Sequence, residues 1–255
     1  MSRPGRGPDV ELVGVARSFG PVRALAGIDL TIPAGTSVAV MGGNGAGKTT
    51  LLRVIAGLAA PTTGMVRIAG IDRRRAGPGL RALLGYVGHD SLLYGDLTVR
   101  ENLAFHASLH GLPTEVVTEV AARFEVTQAL DRPARLLSRG NRQRAALARA
   151  LLHDPAIVLL DEPYTGLDLA SAERLTAHLA ALHRRGHTIV LTAHEAGQAV
   201  LAERVVVLAE GHLVADEPAE DIEVVAALVR DAQRGRPPRR LPARVSADDR
   251  QEVAR

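Results

Sequence analysis

The sequence predicts an α/β fold built on a largely parallel sheet, interrupted by a helical insert. Three observations carry this expectation. Short β-branched runs alternate with helix-patterned segments along the chain. The run 156–160, AIVLL, is apolar at every position, as in a strand buried on both faces. Between about residues 88 and 152 the strand signals stop and helical spacing replaces them.

The elements follow in chain order. Residues 1–8, with two Pro and two Gly, predict a flexible arm. VELVGVA (10–16), GIDLTI (27–32) and TSVAVM (36–41) are strand-like runs broken by Gly and Pro. Residues 49–58 predict a helix with Leu51, Leu52, Ile55 and Leu58 at helical spacing. MVRIAG and LLGYVG predict two more strands. Residues 98–126 and 141–153 predict helices, the first opened by a Thr98/Glu101 capping box and carrying Leu103 and Ala107 on its apolar stripe. After AIVLL come a helix over about 169–185, the strand HTIVLT (187–192) and a hairpin over 204–216 turning at Gly211. Residues 9–216 thus predict one folded unit. Residues 217–255 predict a C-terminal helix and, past Arg230, a disordered tail of Arg, Pro, Asp and Glu.

Composition narrows the function classes. Apolar residues make up 46% of the 255, but aromatics are only three Phe and three Tyr, so the core must be aliphatic. A formal charge of +3 does not imply nucleic-acid binding. The chain has no Cys, which excludes disulfides and thiolate metal sites. No apolar run approaches the ~20 residues of a membrane span, and the N-terminus lacks a signal-peptide pattern. The expected location is the cytoplasm, with any membrane role depending on a partner.

Among 31 basic residues, Lys48 is the only lysine. It lies in Gly42-Gly43-Asn44-Gly45-Ala46-Gly47-Lys48-Thr49-Thr50, which matches G-x-x-x-x-G-K-[ST] between a strand and a helix. Glycines let backbone N–H groups converge on phosphate oxygens, and the helix N-terminus adds partial positive charge. Lys48 is suited to the β and γ phosphates of ATP, and the Thr49 hydroxyl to Mg²⁺. Roughly 110 residues later AIVLL ends in Asp161 and Glu162. Asp161 suits the metal's shell, and Glu162 suits a general base that orients the attacking water. His194 ends the next strand and could hydrogen-bond a γ-phosphate or that water. His106 and His110, four apart, read as a solvated helix face, and Arg73–Arg75 as an exposed loop.

One segment separates the phosphate-loop classes. Leu137-Ser138-Arg139-Gly140-Asn141-Arg142-Gln143-Arg144 resembles the signature of the ATP-binding cassette (ABC) ATPases, usually L-S-G-G-Q. Asp168 in TGLD resembles that family's D-loop, and His194 its switch histidine. Phe19 stands where the family has an aromatic that stacks on adenine. The resemblance spans residues 9–216 and implies a RecA-like mixed sheet core with an antiparallel β subdomain and an inserted helical subdomain. It implies ATP and Mg²⁺, and a head-to-tail dimer in which Ser138 and Gly140 of one ATP-binding subunit reach the nucleotide of the other. It also implies a transport role, with an integral membrane transporter subunit as partner and the ATPase on the cytoplasmic face. Two departures stand out. Arg139 and Asn141 replace Gly and Gln of the signature. His89 takes the place of the Q-loop glutamine, a metal contact in the family. Tyr164 and Gly88-His89 look most like the ATPase of the haem exporter of cytochrome c maturation. A drug, antibiotic or lipid exporter is the alternative, with a soluble ABC ATPase on ribosomes or DNA further off.

Overall fold

In a computed structural model, the structure describes residues 8–219, apart from 76, 195 and 200, together with residue 227. The predicted arm, short of residue 8, and the predicted C-terminal helix and tail lie outside the described residues.

Two sheets and a set of helices make up the chain. The first sheet has the order β2-β1-β4-β5 and is antiparallel throughout. Its strands are β1 (Val10–Phe19), β2 (Val22–Ile32), β4 (Thr63–Ile68) and β5 (Ile71–Asp72). In β2, buried Ala26, Ile28, Leu30 and Ile32 alternate with more exposed Gly27, Asp29 and Thr31, so one face meets the core and one meets water. The second sheet has the order β10-β9-β3-β8-β7-β6. Here β3 (Ser37–Gly42), β6 (Leu84–Val87), β7 (Ile157–Leu160), β8 (Thr188–Thr192) and β9 (Arg204–Ala209) run parallel, and β10 (His212–Pro218) returns antiparallel to β9.

Strands β3, β7 and β8 are buried at every residue, which is why their sequences are apolar without alternation. The period of two still sorts them between two cores. Val38, Val40, Ile157, Leu159 and Val190 face the antiparallel sheet and α1 (Lys48–Ala56). Ala39, Met41, Val158, Leu160, Ile189 and Leu191 face the opposite side, against the helices of the insert. Leu51, Leu52 and Ile55 of α1 are fully buried, each contributing about 2 kcal/mol of transfer free energy. Leu58 is not part of that face: α1 stops at Gly57 in the left-handed region, and Leu58 is 57% exposed.

After the short α2 (Pro78–Ala82), the helix expected over 98–126 divides. It forms α3 (Val99–Leu109) and α4 (Val116–Arg123), because Gly111 at φ 65 and Pro113 cannot continue a helix. The Thr98/Glu101 capping box forms as expected. Asn102, fully buried, staples the preceding loop by donating to the Tyr94, Leu97 and Thr98 carbonyls and accepting from the Tyr94 N–H. Then come α5 (Arg139–Leu151) and α6 (Leu169–Arg184).

Candidate functional site

Register brings the chemistry together. Val40 lies beside Thr192, Leu191 beside Leu160, and Leu160 beside Val87. The chain therefore leaves β3, β8, β7 and β6 along one edge of the sheet, delivering the phosphate loop, His194, the Asp161–Glu162 pair and His89. Ligands bind at the carboxyl ends of strands in such sheets.

The loop 42–49 wraps tightly. A Cβ on Gly42 (φ 145) would sit 2.2 Å from the Leu208 carbonyl oxygen, and one on Gly47 (φ 105) 2.5 Å from that of Ala24. Only glycine fits at both. Lys48 is buried, and its ammonium donates to the Gly42 and Gly43 carbonyls at 2.9 and 3.0 Å. Burial lowers its pKa, against the opposing charges of Glu162 and Asp161.

Asp161 is 1% exposed. Its Oδ1 accepts from Thr49 Oγ1 at 3.1 Å and from Thr192 Oγ1 at 3.0 Å, while its Oδ2 is buried with no partner among the described residues. An unpartnered carboxylate oxygen beside the Thr49 hydroxyl is a hard, oxygen-only donor set, which fits Mg²⁺. The glycine cradle and Lys48 fit a polyphosphate.

Glu162 sits at φ 52, a conformation unfavourable for a non-glycine residue and concentrated at functional sites. It is held there from both ends. Its N–H donates to Thr192 Oγ1 at 2.7 Å, and its Oε1 lies 2.6 Å from His194 Nε2. Burial raises the Glu162 pKa, but the hydrogen bond and charge of His194, with Lys48 and His89, outweigh it and leave the carboxyl below its ordinary value. Thr192 bridges both acids, a role that no motif in the sequence signals.

Phe19 and Thr50 line one cleft of about 470 Å³ with Arg53 and Tyr86, and the Arg17 guanidinium covers the Phe19 ring at 4.4 Å. His89 lines a neighbouring gap with Asp161, Glu162, Arg139 and Gln143. Ser138 and Asp168 cap α5 and α6, accepting from the Asn141 and Ser171 N–H groups at 3.3 and 2.7 Å. Among the described residues, Ser138, Gly140 and Asp168 make no hydrogen bond to the phosphate loop of the same chain. Gln143 links α5 to the segment after β7 by donating to the Pro163 carbonyl at 3.2 Å.

Two expectations are corrected. His106 and His110 do not form a solvated face. Both line one cleft with His153, which stacks on His110 at 3.8 Å, and His106 Nε2 is buried without a partner among the described residues. The packing of α3 against α5 brings the rings together across a long stretch of chain, and that contact is invisible in a local sequence pattern. Arg73 is not in a free loop either. Its guanidinium donates to the Ile55 and Ala56 carbonyls, closing the C-terminus of α1.

Comparison with known proteins agrees with this fold. The family model described as ABC transporter matches residues 25–165. The chain is 37% identical to the macrolide export ATP-binding/permease protein MacB 1 of Aeromonas hydrophila over 84% of its length, and 38% identical to the sulfate/thiosulfate import ATP-binding protein CysA of Thermosynechococcus vestitus over 80%. It spans 35% of the first protein and 62% of the second. The ABC transporter ATP-binding protein NatA of Bacillus subtilis is 36% identical, with 76% of this chain matching 81% of that protein. Among solved structures, a dimeric post-hydrolysis state of the ATP-binding cassette MJ0796 with ADP and Pi superposes with a TM-score of 0.77 at 28% identity, covering 82% of this chain and 98% of that one. No helix among the described residues is long and apolar enough to cross a membrane. A family match across more than half of the chain, and a relative matched along four fifths of its own length, show that this chain belongs to the ABC transporter family as an ATP-binding domain.

Proposed function

We propose that this chain hydrolyses ATP and powers a membrane transporter. The observation that carries the hydrolysis is the Thr192–Asp161–Glu162–His194 cluster beside Lys48. The loop N–H groups, the N-terminus of α1 and Lys48 bind the phosphates. Phe19 and the cleft beside Thr50 receive the base. Thr49 and Asp161, with His89 lining the same gap as Asp161, would hold Mg²⁺, which would neutralise charge on the phosphates. Glu162 accepts a hydrogen bond from the attacking water, while His194 aims its carboxylate and keeps it ionised and Thr192 holds its backbone N–H. Water oxygen bonds to the γ-phosphorus, the bond to the bridging oxygen breaks, and ADP and phosphate leave.

A second ATP-binding subunit, a copy of this chain, completes the site through Ser138 and Asp168, which are exposed, and Gly140, which is half-buried. The MJ0796 dimer supports this reading. An integral membrane subunit is the other partner, with the ATPase on the cytoplasmic face. The cleft of about 920 Å³ lined by Leu58, Leu92 and Leu109 with Arg73, Arg81 and Arg149, and by no carboxylate among the described residues, offers a surface for it.

Tyr164 and Gly88-His89 favour haem export for cytochrome c biogenesis as the cargo. The macrolide-export relatives favour drug or antibiotic export as a second reading. Phosphate release from ATP by the purified chain tests hydrolysis. Deleting the gene and staining for covalent haem tests the cargo: lost c-type cytochromes support haem export, and normal ones with new macrolide sensitivity support the second reading.

A further inference from the structure

Glu125 stands where its own helix does not favour it. Helix α4 closes in a two-bond motif, with the Val126 N–H donating to the Ala121 carbonyl at 2.9 Å and the Glu125 N–H to that of Ala122 at 3.1 Å. Glu125 occupies the left-handed position of that motif, at φ 54, where glycine is usual. It also places a negative charge at a helix C-terminus, the wrong sign for the helix dipole.

The side chain supplies the reason. Its Oε2 lies 3.3 Å from Arg144 Nη1 of α5 and 3.1 Å from Arg174 Nε of α6. The other ends of both arginines are committed. Arg144 donates to Asn141 Oδ1 at 2.6 Å, and Arg174 to Ser171 Oγ at 3.3 Å. Asn141 is the signature residue whose N–H is capped by Ser138, and the Ser171 N–H is capped by Asp168. One carboxylate thus joins the first turns of α5 and α6 to the end of α4. Its side chain is 46% exposed, and ion pairs at such exposure add little to stability. Local stability therefore does not account for a glutamate here.

We infer that Glu125 is a positioning residue for ATP hydrolysis, a three-way latch that holds the Ser138–Asn141 turn and the Asp168–Ser171 turn in fixed relation. The inference rests on the hydrolytic reading of the site and deepens it. Asn141, a departure from the family signature, is on this view the residue through which the latch grips the signature turn.

Glu125→Gly separates the latch from the fold, because it suits the left-handed backbone and removes the side chain that makes the latch. The expected result is an unchanged or raised melting temperature and amide exchange about fivefold faster at Asn141, Arg142, Ser171 and Ala172. The kcat for ATP should fall about fivefold, with KM altered less than twofold. Arg174→Gln should give a similar loss, and the double variant no more than the larger single one. A lowered melting temperature, wild-type exchange at either turn, or faster exchange with unchanged kcat would overturn the latch. Absence of phosphate release by the wild-type chain would remove the hydrolytic reading instead, and the exchange comparison would still decide whether the latch exists.

Discussion

His194 Nε2 and Glu162 Oε1 lie 2.6 Å apart, joining the ends of two adjacent strands over the phosphate loop. The contact holds a carboxylate in a left-handed backbone position that its own residue type disfavours. It also opposes the effect of burial, so that Glu162 stays ionised and able to accept a proton.

Glu162→Gln keeps the shape and removes the base. Turnover should fall at least about 100-fold while ATP binding persists, because binding rests on the loop and Lys48. Single-turnover phosphate release and nucleotide titration measure the two separately. Size-exclusion chromatography with ATP should show the trapped dimer. Unchanged turnover would remove Glu162 from the role of base.

Lys48→Arg preserves the charge and should still abolish hydrolysis. The ammonium is buried between two loop carbonyls at about the hydrogen-bonding minimum. A planar guanidinium is broader than that space and cannot act as a compact point charge between two phosphates. Near-normal activity in this variant would contradict the geometry.

Thr192→Val tests the bridge between the acids. The hydroxyl is fully buried, donates to Asp161 and accepts from the Glu162 N–H. Its removal leaves that N–H unpaired at a cost of about 1–3 kcal/mol, and should lower the melting temperature together with kcat. Chemical denaturation alongside steady-state kinetics reads both effects. A stable, fully active variant would show that the bridge is dispensable.

Stability should fall on acidification from pH 7 to pH 5. Burial lowers His106 and His153 from 6.5 to about 4, with the charge of Arg149 adding to it at both and His110 at each. The unfolded chain therefore binds more protons than the folded one between about pH 6.5 and 4, so the folded state gains stability as pH rises through that window. Both rings are partly accessible, which reduces the effect to a melting-temperature drop on the order of 5 °C. Replacing both with Gln should flatten the curve between pH 5 and 7. An unchanged slope would show that the cleft does not exclude the charged rings.

Much of the site was legible in the sequence because its parts are local. The glycines, Lys48 and Thr49 act through one loop and one helix start, and their spacing carries the geometry. The acids follow an apolar run whose uninterrupted pattern already marks a strand buried on both faces. The Thr98/Glu101 cap needed only a turn of chain to be read. Other features joined distant segments and left no local trace. Nothing near Thr192 announces that it bridges Asp161 and Glu162, since that contact depends on the register of β7 against β8. His106, His110 and His153 come together only when α3 packs against α5, whose end leads into His153, and Arg73 finds the end of α1 only across the antiparallel sheet's edge. Glu125 reads as an ordinary surface acid until its backbone angle and its two arginines are seen together. Sequence alone determined which groups are present and how each loop and helix begins. Tertiary structure decided which groups meet, because strand register and helix packing are set by burial over the whole core rather than by neighbours along the chain.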